Sequence, residues 1–253
     1  DQTICSNNTV VLNGQIPSGS GTGIWTTSGT GTFTPNNTTL NATYTPSSAD
    51  ITNGSVSLIL TSTGNGVCPA DADTVLIIIS PLAVVNAGPS QTVCANNVQA
   101  VLAGTISGVT STGQWSTSGT GTFAPNNTTL NSTYTPSPGD ITSGSVTLTL
   151  TSTANGVCPA VTDTMTIIIT PEPVVTAGPD QTICSTSPAQ LNGNVTGGST
   201  TGQWSSSGTG TFAPNNTTLN ATYTASAADI TAGSVTLTLQ ATNIGTCSPV
   251  NDV

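Results

Sequence analysis

Gly144-Ser-Val-Thr-Leu-Thr-Leu-Thr151 alternates apolar and polar side chains with a period of two. A strand turns successive side chains to opposite faces, so Val146, Leu148 and Leu150 belong to one buried face and the threonines to the other. The pattern recurs at Val56, Leu58 and Leu60, and again at Val235, Leu237 and Leu239. Three copies of one strand at a spacing of about 90 residues point to three copies of a small β domain, since short solenoid repeats have much shorter periods.

Working outward, every landmark repeats in the same order. Cys5, Cys94 and Cys184 follow Gln-Thr-Ile/Val; Trp25, Trp115 and Trp204 come next; Phe33, Phe123 and Phe212 end Gly-Thr-Gly-Thr-Phe. Tyr44, Tyr134 and Tyr223 follow, and Cys68, Cys158 and Cys247 close each set. The units are therefore placed at residues 1–80, 81–170 and 171–253. Pro81-Leu-Ala-Val-Val-Asn-Ala-Gly-Pro89 and Pro171-Glu-Pro-Val-Val-Thr-Ala-Gly-Pro179 are the joints. The first unit reads as lacking that lead-in and the third as stopping before its closing strand, so a window on a longer array is expected.

Short strands set between Gly, Pro, Asn and Ser clusters, with no long helical period, predict an all-β protein of tandem β-sandwiches. The unbroken runs Ile77–Ile79 and Ile167–Ile169 read as closing strands covered on both faces. Ser47-Ser-Ala-Asp-Ile-Thr-Asn-Gly54 and its repeats read as one helical turn ended by glycine. Short, proline-flanked joints leave little slack, which predicts an extended rod.

Charge is one-sided. The chain has no Lys, Arg or His and ten acidic residues, a formal net charge of −10. No side-chain ion pair can form, and a phosphate backbone is repelled, which excludes nucleic-acid binding. No apolar stretch is long enough for a spanning helix, so no membrane insertion by this segment is expected.

The cysteines carry the strongest chemical signal. Each unit holds two, separated by about 63 residues and without metal-type spacing. Repeat symmetry favours within-unit bonds, Cys5–Cys68, Cys94–Cys158 and Cys184–Cys247, each closing a loop worth about 4 kcal/mol; the competing reading is six reduced, buried thiols. Disulfides imply an oxidising, extracellular compartment.

Trp25, Trp115 and Trp204 are expected as core residues packed near the disulfides, the rival being a sugar-stacking platform. Asp50, Asp140 and Asp229 read as turn-capping carboxylates, because one carboxylate per unit falls short of a calcium site. Asp71 and Asp73 pair only in the first unit. The Asn-x-Thr sequences at Asn36, Asn37 and Asn41 read as turn residues or glycosylation sequons. With no His, Lys or Arg, and with mostly solitary Asp residues, acid–base pairs and activated nucleophiles are hard to assemble, so neither an enzyme, a cofactor nor a metal is expected.

Taken together, Val84-Val-Asn-Ala-Gly-Pro-Ser-Gln-Thr-Val-Cys94, Gly113-Gln-Trp-Ser116, Gly119-Thr-Gly-Thr-Phe-Ala-Pro125, Ser132-Thr-Tyr-Thr-Pro-Ser137 and Cys158-Pro-Ala160 resemble the PKD-like, immunoglobulin-like repeats of large Bacteroidota cell-surface adhesins. The resemblance covers essentially the whole chain. It implies immunoglobulin-like sandwiches, type IX secretion to the cell surface, and adhesion of the kind served by SprB-like gliding adhesins. It also implies O-glycosylation at Thr74 and Thr164, in Asp73-Thr-Val75 and Asp163-Thr-Met165. The function expected is a structural stalk whose partners are other repeats of the same chain, with multivalent binding of surface glycans and self-assembly by strand addition as rivals.

Overall fold

The computed structural model describes residues 1–17 and 21–253. The first unit contains β1 (Gln2–Cys5), β2 (Val10–Val11), β3 (Thr22–Thr27), β4 (Thr32–Thr34), β5 (Thr43–Thr45), α1 (Ser48–Asn53), β6 (Ser55–Thr63) and β7 (Ala72–Ser80). The second contains β8 (Val84–Asn86), β9 (Gln91–Cys94), β10 (Ala100–Val101), β11 (Thr105–Ser107), β12 (Gly113–Thr117), β13 (Thr122–Ala124), β14 (Thr133–Thr135), α2 (Pro138–Ser143), β15 (Ser145–Ser152) and β16 (Thr162–Thr170). The third contains β17 (Pro173–Thr176), β18 (Ala189–Gln190), β19 (Asn194–Gly197), β20 (Thr201–Ser206), β21 (Thr211–Ala213), β22 (Thr222–Thr224), α3 (Ala227–Ala232), β23 (Leu237–Thr242) and β24 (Asn251–Asp252).

Each unit is built on two sheets face to face, with an added two-stranded sheet, β11-β8 or β17-β19, in the second and third, and the chain is a tandem array of three immunoglobulin-like β-sandwiches. In the first, a four-stranded sheet β1-β7-β6-β3 covers a three-stranded sheet β2-β5-β4, and the second repeats this as β9-β16-β15-β12 and β10-β14-β13. The period-two faces meet between the sheets: Val56, Leu58 and Leu60 pack with Trp25, Tyr44, Ile77 and Ile79. The second core holds Trp115, Tyr134, Leu148, Leu150 and Ile167. Trp25 pairs with Leu60 across β3 and β6, and its indole N–H donates to the Leu40 carbonyl at 3.1 Å.

The closing strands differ from their sequence reading. Ile77 and Ile79 are buried, yet Ile78 is 45% exposed, and Ile168 is 49% exposed between buried Ile167 and Ile169. A two-layer sandwich leaves the outer face of each sheet to solvent, so even an all-isoleucine run is buried on one side only.

Strand direction then settles the cysteines. The opening strand runs parallel to the closing strand, with Cys5 beside Ser80 at the end of β7 and Cys94 beside Thr170 at the end of β16. The closing cysteines instead lie in the loops that precede those strands. Nine-residue β7 therefore separates Cys5 from Cys68 by about 26 Å at ~3.3 Å per residue. A disulfide needs Cα atoms within about 7 Å. The within-unit pairing is thus overturned: the bonds are Cys5–Cys158 and Cys94–Cys247, with Cα atoms 4.9 and 4.8 Å apart. Cys68 and Cys184, expected in bonds, are free and exposed. Sulfur bridges between units replace the expected self-contained bead.

Candidate functional site, the joints between units

The joint is assembled from two ends of the fold. The outgoing end of one unit supplies its opening cysteine, at the close of the strand that pairs with β7 or β16. The incoming end of the next supplies a tight loop between its last two strands. That loop turns on left-handed residues: Gly156 at φ 58° with Ala154 at φ 56°, and Gly245 at φ 55° with Asn243 at φ 54°. The turn carries Cys158 and Cys247 back over the linker. Cys158 Sγ lies 3.6 Å from the Ser80 and Pro81 carbonyl oxygens, and Cys247 Sγ lies 3.7 Å from that of Pro171. An oxidised sulfur has no proton to donate, so these are packing contacts against the linker backbone.

Each joint is consequently held twice, by the linker peptide and by the sulfur bridge. The second joint adds an asparagine clamp: Ser248 N–H donates to Asn96 Oδ1 at 2.9 Å, and Asn96 Nδ2 and Asn97 Nδ2 donate to the Ser248 and Thr246 carbonyls. At the first joint Pro159 follows the closing cysteine. Proline has no N–H, so it cannot make the bond that Ser248 makes. The lead-in is tied down as well, through Ala87 N–H to Asp163 Oδ2 at 2.8 Å and Ala177 N–H to Asp252 Oδ2 at 2.9 Å.

The recurring aspartates stabilise the helical turn at the end of each unit where the closing strand finishes: the Ile79 and Ile169 N–H groups donate to the Gly54 and Gly144 carbonyls that end the turn. Asp50 sits in a capping box with Ser47, and Gly54 ends the turn at φ 76°. Its carboxylate is buried and accepts from the Tyr44 hydroxyl at 2.7 Å and from the N–H groups of Thr30, Gly31 and Ser47. Asp140 and Asp229 repeat the arrangement with Tyr134 and Tyr223. In a chain without cationic side chains, backbone dipoles and a phenol take the place of a counter-ion. The Gly-Thr-Gly motif has its reason here: a Cβ at Gly29, Gly119 or Gly208 would overlap the carboxylate. A carboxylate so fully engaged has no free oxygen for calcium. Among the described residues, no group of three or more metal-ligating side chains gathers anywhere.

Burial alone would push the Asp50 and Asp140 carboxyls up, but the hydrogen bonds outweigh it and hold both below the ordinary value. At Asp229 the Ser226 and Thr209 N–H groups dominate and bring it to about 2. Depressed carboxyls stabilise the folded state above their unfolded value of about 4, and that contribution is lost as pH falls through the folded value. The melting temperature should therefore be flat from about pH 7 to 5 and fall between about pH 4 and 2; calorimetry across that range checks it, and an equal fall at pH 6 would contradict it.

Trp25, Trp115 and Trp204 lie inside the three cores, 5%, 0% and 1% exposed. Thr74 and Thr164 are exposed on β7 and β16. Asp71 and Asp73 each engage a neighbouring backbone N–H, that of Ala72 and of Thr74. Among the described residues no helix is long and apolar enough to cross a membrane. Sequence reasoning missed the clamp residues Asn96 and Asn97; their place two and three positions after the opening cysteine Cys94 was the available signal.

No protein-family model matches the sequence, and no curated protein matches it. Among solved structures, the chain is similar to a three-immunoglobulin-domain structure of titin, an E-to-A mutated variant, at 14% identity and a TM-score of 0.52, covering 99% of this chain and 92% of that one. It is also similar to mouse cadherin-23 EC22-24, at 12% identity and a TM-score of 0.43, covering 98% and 91%. Drosophila OTK extracellular domains 3-5 match at 11% identity and a TM-score of 0.42, covering 99% and 92%. At such identities the titin likeness is one of fold: immunoglobulin-like sandwiches in tandem.

Proposed function

We propose that the chain is a load-bearing segment of an extracellular stalk, a non-catalytic array whose units transmit tension and hold a distal contact away from its anchor. The observation that carries this reading is the sulfur bridge across each joint. A bond inside a unit protects that unit alone, whereas a bond between units resists bending and twisting at the linker. Disulfides persist in oxidising compartments, which agrees with export. The sequence resemblance adds a finer proposal: a cell-surface adhesin of Bacteroidota, exported by type IX secretion and of the SprB-like kind, with Thr74 and Thr164 exposed as O-glycan acceptors. The glycan-binding rival drew its support from the tryptophans, and those are in the cores.

Small-angle scattering before and after reduction tests the stalk reading. The oxidised chain should scatter as a single stiff particle, and reduction should broaden the distance distribution while near-ultraviolet dichroism of the tryptophans persists. An unchanged distribution in fully reduced, folded protein would remove the mechanical role of the bridges.

A further inference from the structure

The two joints carry the same sulfur bridge and differ in what surrounds it. Cys5–Cys158 and Cys94–Cys247 each span 153 residues, with Cα atoms 4.9 and 4.8 Å apart. The backbone after the opening cysteine turns alike at both, through Asn8 N–H to the Cys5 carbonyl at 2.9 Å and Asn97 N–H to the Cys94 carbonyl at 2.8 Å. Asn7 and Asn8 are therefore the counterparts of Asn96 and Asn97, and each joint receives a pair of asparagines from the unit before it.

Only the second joint uses its pair. Asn96 Oδ1 accepts from the Ser248 N–H at 2.9 Å, and Asn96 Nδ2 and Asn97 Nδ2 donate to the Ser248 and Thr246 carbonyls at 3.2 and 3.1 Å. At the first joint Val157 and Pro159 stand in the places of Thr246 and Ser248. The proline ring removes the N–H that Asn7 would need. Asn96 is half-buried in its contact, whereas Asn7 is exposed. Among the described residues, neither the Asn7 nor the Asn8 side chain is hydrogen-bonded.

We propose that the residue directly after the closing cysteine sets how a joint responds to reduction. Serine locks the joint and proline leaves it to the sulfur bridge, so the first joint is a thiol-released hinge beside a second joint that stays docked. This rests on the reading that the bridges stiffen the joints, and adds which joint yields. A dithiol reductant gives each bridge two electrons and two protons; the bridge opens to two thiols as the dithiol closes to a disulfide. At the second joint the short linker then keeps the clamp partners at a high effective concentration, and the three hydrogen bonds persist. At the first joint the linker alone remains, and the units swing about it. A reducing thiol thus adds one bend to the stalk while the cores stay packed.

Energy transfer within the full chain tests the hinge. Azide-bearing residues coupled to dyes replace the exposed counterparts Asn53, Ser143 and Ala232 in pairs, Asn53 with Ser143 for the first joint and Ser143 with Ala232 for the second. Oxidised protein should give narrow distance distributions for both pairs; dithiothreitol should broaden the first and leave the second. Pro159→Ser supplies the missing N–H opposite Asn7 and should keep the first distribution narrow after reduction. Asn96→Ala combined with Asn97→Ala should let the second broaden. Equal broadening at both joints, or a Pro159→Ser chain that still broadens at the first, overturns the inference and leaves the stalk reading standing. No broadening at either joint overturns both. Amide exchange adds a readout free of labels: the Ser248 N–H should keep its protection in reduced protein, and loss of that protection overturns the clamp.

Discussion

Replacing Cys5 and Cys158 together by serine should lower the stability of the first unit by about 4 kcal/mol and leave the third unit unchanged. When the first unit opens while the second stays folded, the intact bridge ties the loose chain at Cys5 as well as at the linker beside Pro81. The loop so closed has on the order of 76 residues, and the chain-entropy model gives about 4 kcal/mol for it. Hydrogen exchange read by peptic peptides resolves the units separately. Protection in β6 and β7 should drop by that amount, and protection in β20 and β23 should not. The control separates the observed pairing from pairing within units: Cys68→Ser removes no bond and should be neutral, whereas a Cys5–Cys68 bond would make it as costly as the double replacement. A large loss in Cys68→Ser would contradict the connectivity.

Asp140→Ala should destabilise the second unit by about 3–5 kcal/mol. Asp140 is 4% exposed, and its carboxylate accepts from the Thr120, Gly121 and Ser137 N–H groups and the Tyr134 hydroxyl. Removing it strands donors that cost about 1–3 kcal/mol each when buried and unpaired, less whatever water recovers. Tyr134→Phe deletes one of those bonds and leaves the carboxylate in place, so about 1–2 kcal/mol is expected. Denaturant midpoints for the two variants should fall in that order. Equal midpoints would mean that the Tyr134 bond carries the whole effect and the backbone donors none.

Much of the fold could be read from residues alone because local chemistry fixes it. The period of two at Val146, Leu148 and Leu150 became the inner face of β15, and Ser137 with Gly144 bounded α2 as a capped turn. The exposed faces of Ile78 and Ile168 were misread, since composition reports that a residue is apolar and not how many layers cover it.

The joints were not legible for a different reason. Repeats of nearly equal sequence satisfy within-unit and between-unit pairing alike, so symmetry among Cys5, Cys68, Cys94 and Cys158 cannot choose. The choice follows from the opening strand lying parallel to the closing one, a long-range pairing between residues about 75 positions apart that no local pattern encodes. The sequence by itself determined three β units, their cores, their acidic turns and a surface without cations. Only the tertiary structure decided which sulfurs meet, because strand direction sends the two cysteines of each unit to opposite ends and brings those of neighbouring units to a shared joint.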